Sequence, residues 1–118
     1  MSTRAIPLSL HGALEILAAP AVMVAPFLLG FGQAPTVITV ALGALLLGLA
    51  LQVEGPRRTV PLSAHAGFDY ALALMALVGG LSVGLSTDEW AAGIFLVGLG
   101  VAEMALTAAT RFTAPRGA

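Results

Sequence analysis

Cysteine and lysine are absent, and only 9% of the 118 residues carry charge. The lack of cysteine excludes disulfides, thiolate ligands and thiol redox chemistry. With no lysine, and five arginines scattered along a chain of net charge -1, there is no basic surface for nucleic acid. Polar residues are too few to cover a soluble domain, since 58% of the chain is apolar and its mean hydropathy is +0.99. The outside of the fold must therefore face lipid.

Uninterrupted apolar stretches run over residues 10–31, 36–53, 64–85 and 89–110. Each is close to the ~20 residues a helix needs to cross ~30 Å of hydrocarbon. Residues 41–51 are apolar at every position, which excludes the alternation of a transmembrane strand. The expectation is a single all-α transmembrane domain over residues 1–118, an integral membrane four-helix bundle with no soluble domain.

A repeat organises the bundle. Pro7-Leu8-Ser9-Leu10-His11-Gly12-Ala13-Leu14-Glu15 returns as Pro61-Leu62-Ser63-Ala64-His65-Ala66-Gly67-Phe68-Asp69, 54 positions later. The same offset maps Gly30 onto Gly84, Arg57 onto Arg111 and Thr59 onto Thr113. Repeat 1 covers about 7–55 and repeat 2 about 61–111, and such self-similarity outranks local propensity. Two spans per copy give both copies the same orientation, a parallel repeat about an axis along the membrane normal. The repeat also argues against a cleaved signal peptide at the N-terminus, because the first span has its counterpart in the third.

Arg4, Arg57, Arg58, Arg111 and Arg116 all fall on one side of the four spans. By the positive-inside rule that side, with both termini and the central loop, is cytoplasmic. Ser9 and Ser63 read as helix N-caps after their prolines, and Ser86-Thr87-Asp88-Glu89 as a capping box for the fourth helix. Pro20 and Pro26 interrupt the first span. Three ridges of small residues invite close helix packing: Ala76, Gly80 and Gly84; Ala44 and Gly48; Gly98 and Ala102. The default is packing inside the chain, although a homo-oligomer or a larger membrane assembly would use the same ridges.

The chemistry-bearing residues are His11, Glu15, His65, Asp69 and Glu103. The i,i+4 spacing puts each histidine on one helix face with its acid, and counting 1.5 Å per residue puts the three acids at one depth in the cytoplasmic half. An acid in the membrane is costly unless protonated, paired or hydrated, so all should face inward. Three readings stay open: a structural hydrogen-bond network that docks the repeats, a proton-coupled layer, or a metal or haem site in the bundle. No catalytic triad or phosphate-binding loop is present, which points away from an enzyme. Ser82 and Thr107 are isolated and expected to bond their own helix backbone.

Ala25-Pro26-Phe27-Leu28-Leu29-Gly30-Phe31 resembles the Ser-Pro-Trp signature of SPW-repeat proteins, small bacterial membrane proteins built from two-helix units. Gly43-Ala44-Leu45-Leu46-Leu47-Gly48-Leu49-Ala50 is similar to the helix that follows it. Val78-Gly79-Gly80-Leu81 in the second half has neither the proline nor the aromatic. The resemblance implies a small bacterial membrane protein and supplies neither an activity nor a catalytic residue; the expectation from the whole sequence is a small inner-membrane module or an accessory subunit of a larger assembly. Length, four helices and Glu15 are also similar to small multidrug-resistance transporters, which would imply proton-coupled transport of small solutes. That family lines its site with Trp and Tyr, whereas the only such residues here are Trp90 and Tyr70.

Overall fold

The computed structural model describes residues 4–53 and 61–113. Four helices carry the fold: α1 (Leu8–Leu29), α2 (Gln33–Ala50), α3 (Leu62–Thr87) and α4 (Trp90–Ala109). Two short strands, β1 (Ile6–Pro7) and β2 (Thr110–Arg111), pair in parallel and tie the start of α1 to the end of α4. All four helices are long and apolar enough to cross a membrane. α1 packs chiefly on α2 and α3 chiefly on α4; α2–α3 and α1–α4 contacts close the ring, leaving α1 and α3 on a diagonal.

The helix starts differ from the expected caps. Pro7 and Pro61 are the N-caps of α1 and α3, with extended backbone, and Ser9 and Ser63 lie inside the first turn without a capping bond. Proline sacrifices no N–H at a helix start and holds φ near the helical value, so the helix propagates from the residue after it. The capping box at residues 86–89 does not form either. The hydroxyls of Ser86 and Thr87 donate back to the carbonyls of Ser82 and Val83, so α3 continues through them to a left-handed Asp88 with φ 59°. Glu89 turns away from α4 instead, and its carboxylate accepts the Gly32 N–H at 2.7 Å, joining the two loops at this end. Pro20 and Pro26 sit within a continuous α1, which ends at a left-handed Gly30 with φ 71° where the Phe31 N–H donates to the Pro26 carbonyl at 2.9 Å.

The middle of the bundle is a small apolar core of Ala19, Leu42, Leu46, Leu72, Ala76 and Leu96. Backbone approaches backbone where glycine allows it. A β-carbon on Gly93 would stand 2.9 Å from the Gly80 carbonyl oxygen, and one on Gly100 2.7 Å from that of Ala73. Ala76, Gly80 and Gly84 are buried in this seam. The other two ridges point the other way: Ala44, Gly48, Gly98 and Ala102 are all exposed, and Gly48 and Gly98 have open space around them. Internal packing on α2 and α4 uses Gly43, Gly93 and Gly100 instead, because the helices turn those faces inward: Gly43 against Ala19 and Met23 of α1, Gly93 against Gly80 and Gly84, and Gly100 against Ala73 and Leu77 of α3.

The polarity of the fold is inverted relative to a water-soluble protein. Leu17, Phe27, Leu28, Leu85 and Ile94 are each about 70–80% exposed, whereas His11, Glu15, His65 and Asp69 are at most 1% exposed. Four apolar helices with this distribution suit a multi-pass membrane protein. Arg4 and Arg111 lie at the β1–β2 end. Arg57, Arg58 and Arg116 fall outside the described residues.

Candidate functional site

α1 and α3 each begin with a proline and bring a histidine, then an acid one turn later, to the same inner face. Because these helices stand on the bundle diagonal, their side chains meet on its axis. His11 Nε2 lies 2.9 Å from Asp69 Oδ2 and 3.0 Å from Glu15 Oε1. His65 Nε2 lies 3.0 Å from Asp69 Oδ2 and 3.6 Å from Glu15 Oε1. Each imidazole therefore touches both its own helix's acid and the acid of the opposite helix.

Distance and direction disagree in a useful way. Only the His11–Asp69 contact is aligned as a hydrogen bond. Among the described residues, both oxygens of Glu15, both nitrogens of His65 and Asp69 Oδ1 are buried without a hydrogen-bond partner. Unpartnered buried polar atoms are rare and costly. Two of these atoms, Glu15 Oε1 and His65 Nε2, stand 3.6 Å apart across the bundle axis. One donor atom from each of His11, Glu15, His65 and Asp69 lies within 4.8 Å of one from every other.

Glu103 enters from α4. Its carboxyl, 7% exposed, lies near those of Glu15 and Asp69, and its Oε1 is buried without a hydrogen-bond partner among the described residues. A cavity of about 10 Å³, lined by Leu42, Leu46, Leu72, Ala73, Ala76 and Leu99, adjoins it on the apolar side and has room for about one water. All five residues singled out from the sequence thus occupy one buried layer, with four converging on a point and Glu103 beside them.

Two neighbours were not singled out. Thr110 Oγ1 is 2.8 Å from His11 Nδ1, and the same hydroxyl donates to the Leu106 carbonyl at 2.6 Å. Since its one proton is already used, Thr110 accepts from His11 Nδ1–H. A neutral His11 then presents the Nε2 lone pair to the acids. Phe112 lies against both imidazoles, with centroid distances of 5.1 Å to His11 and 5.9 Å to His65. The three rings pack edge to face or tilted, with the two imidazole centroids 5.8 Å apart. Thr107 is buried with its hydroxyl unpartnered, contrary to the expected backbone bond. Glu103 and Thr107 share one face of α4 at i and i+4, and Thr110, the extended residue that ends the helix, continues that spacing at i+7. Comparison with protein-family models, curated proteins and solved structures finds no match to this chain.

Proposed function

We propose that the chain is a small multi-pass module of the bacterial inner membrane, built from two parallel two-helix repeats with cytoplasmic termini. It acts as a small membrane module or as an accessory subunit of a larger membrane assembly. Its functional centre is the layer of His11, Glu15, His65, Asp69 and Glu103, which holds positive charge where the two repeats meet. The observation that carries this reading is the crossed set of contacts, in which each histidine sits 2.9–3.6 Å from both its own acid and the acid of the other repeat. Mutually facing lone pairs at that spacing repel unless a proton or a metal ion lies among them.

Reporter fusions test the placement. Fusions after Ala118 and within residues 55–60 should both report cytoplasm, and fusions within residues 32–34 the opposite face. Disagreement between the two cytoplasmic positions refutes the four-span arrangement. Co-purification of a stoichiometric partner from native membranes supports the accessory role.

A second reading, proton-coupled transport of small solutes, is favoured by Glu103 facing Glu15 and Asp69. Two imidazoles balance two acids, and the third carboxyl is then available to take up and release a proton. Proteoliposomes in which the wild-type chain supports proton flux and Glu103→Gln does not would carry this reading.

A further inference from the structure

We propose that His11, Glu15, His65 and Asp69 bind one divalent transition-metal ion on the axis of the bundle, an inference that rests on reading the layer as the functional centre. The ligand atoms alternate nitrogen, oxygen, nitrogen, oxygen around a ring with sides of 2.9, 3.0, 3.6 and 3.0 Å. An ion with bonds of about 2.0–2.1 Å to imidazole and carboxylate separates neighbouring ligand atoms by roughly 3.0–3.4 Å, the lower figure for octahedral and the upper for tetrahedral geometry. The sides of the ring lie at or near that range, and its diagonals, within 4.8 Å, need only a small inward shift of the side chains to reach the roughly 4 Å of ligands on opposite sides of one ion.

Direction supports the same assignment. Atoms built to hydrogen-bond one another would be aligned pairwise; His11 Nε2 and Asp69 Oδ2 are so aligned, but Glu15 Oε1 and His65 Nε2 have no aligned partner among the described residues at these distances. Ligands of one ion point at the ion. The orientation of His11 is set by Thr110, which takes the Nδ1 proton and turns the Nε2 lone pair inward, the arrangement that commonly supports a metal-bound histidine. His65 and Asp69 are one turn apart on α3, and His11 and Glu15 one turn apart on α1, so each helix supplies one nitrogen and one oxygen from a rigid element.

Charge selects the valence. Two carboxylates and two neutral imidazoles carry -2, which a divalent cation cancels inside a site that water does not reach. Donor type narrows the class: imidazole with carboxylate and no thiolate or thioether suits zinc, manganese, iron or cobalt in the divalent state and disfavours copper(I).

The test uses the full-length chain purified in detergent, stripped with a chelator and titrated with Co²⁺. The wild-type chain should bind one Co²⁺, develop visible d–d absorption, and lose it when Zn²⁺ is added. His65→Gln and Asp69→Asn should each weaken Co²⁺ binding at least tenfold, and Thr110→Val, which leaves all four ligands in place, should weaken it by about tenfold through loss of the His11 orientation. Circular dichroism verifies the helical fold of each variant, and Thr110→Val carries the test if a ligand variant does not fold. A folded wild-type chain with no stoichiometric Co²⁺ uptake, or variants that bind as the wild type does, overturns the metal assignment while leaving the layer to protons. Failure of the chain to enter membranes would instead overturn the broader reading and would show in the fusion experiment.

Discussion

Gly93→Ala and Gly98→Ala should move stability in opposite directions, although both add one methyl group to the same face-alternating helix. At position 93 the new β-carbon would lie 2.9 Å from the Gly80 carbonyl oxygen, 3.0 Å from Gly84 Cα and 3.2 Å from Gly84 N. All three are backbone atoms of α3, so no side chain can swing aside. Comfortable contact begins near 3.5 Å, and α3 and α4 must separate by about half an ångström at their closest approach. Overpacking of this kind costs ~1–3 kcal/mol, against which alanine recovers at most ~1 kcal/mol of helix propensity. The expected net loss is about 1–2 kcal/mol. At position 98 nothing lies within 4 Å, so only the propensity gain remains, up to ~1 kcal/mol. Titration of the purified chain with denaturing detergent, followed by far-UV circular dichroism, reads both changes. Equal effects, or a stable Gly93→Ala variant, would refute the argument that backbone contact at Gly80 and Gly93 locks the second hairpin.

Asp69→Ala should cost ~3–5 kcal/mol in the same assay, because it strips both imidazoles of the acid they share and leaves a buried group uncompensated. Asp69→Asn, which keeps the shape and one acceptor, should cost less. Glu89→Ala should cost ~1 kcal/mol and speed hydrogen exchange at the Gly32 amide, whose acceptor it removes; an unchanged exchange rate would show that the two loops are held by other means. Asp88→Gly should stabilise by about 1 kcal/mol, since it removes a β-carbon from a left-handed residue.

The number and extent of the helices were legible because membrane spans are read from a property of many residues at once, the long apolar run. Their starts were not, because a serine after a proline looks like a cap whether or not the helix begins one residue earlier. The ridges show the same limit. A small-xxx-small pattern reports where close approach is permitted, and the direction a helix faces decides where it happens. For α3 the pattern and the buried face coincide at Ala76, Gly80 and Gly84, but α2 and α4 turn their spaced small residues outward and pack through Gly43, Gly93 and Gly100. The polar layer was legible for a stronger reason. Acids and imidazoles have few acceptable environments in an apolar chain, and i,i+4 spacing constrains them to one face. Thr110 and Phe112 escaped notice because neither residue type is costly in a membrane, and only the turn after α4, which folds back alongside β1, brings them to the histidines.

The proposed duplication explains the composition of the site and also its asymmetry. One unit offers a histidine and an acid a turn apart, a pair too small to enclose an ion. Setting two such units against each other interleaves their atoms, so every nitrogen gains a second oxygen and a four-ligand ring arises from a two-ligand motif. The additions then fall on one copy alone. At the 54-residue offset Glu103 corresponds to Leu49, Thr110 to Pro56 and Phe112 to Arg58. His11 consequently has a hydroxyl to accept from its ring, whereas His65 Nδ1 is buried without a hydrogen-bond partner among the described residues. The two imidazoles are therefore inequivalent despite their matched positions. Glu103, supplied by α4 where α2 carries a leucine, adds a third buried acid near the other two. Two like units thus supply the four atoms of the ring, and the residues that depart from the repeat make its two halves unequal.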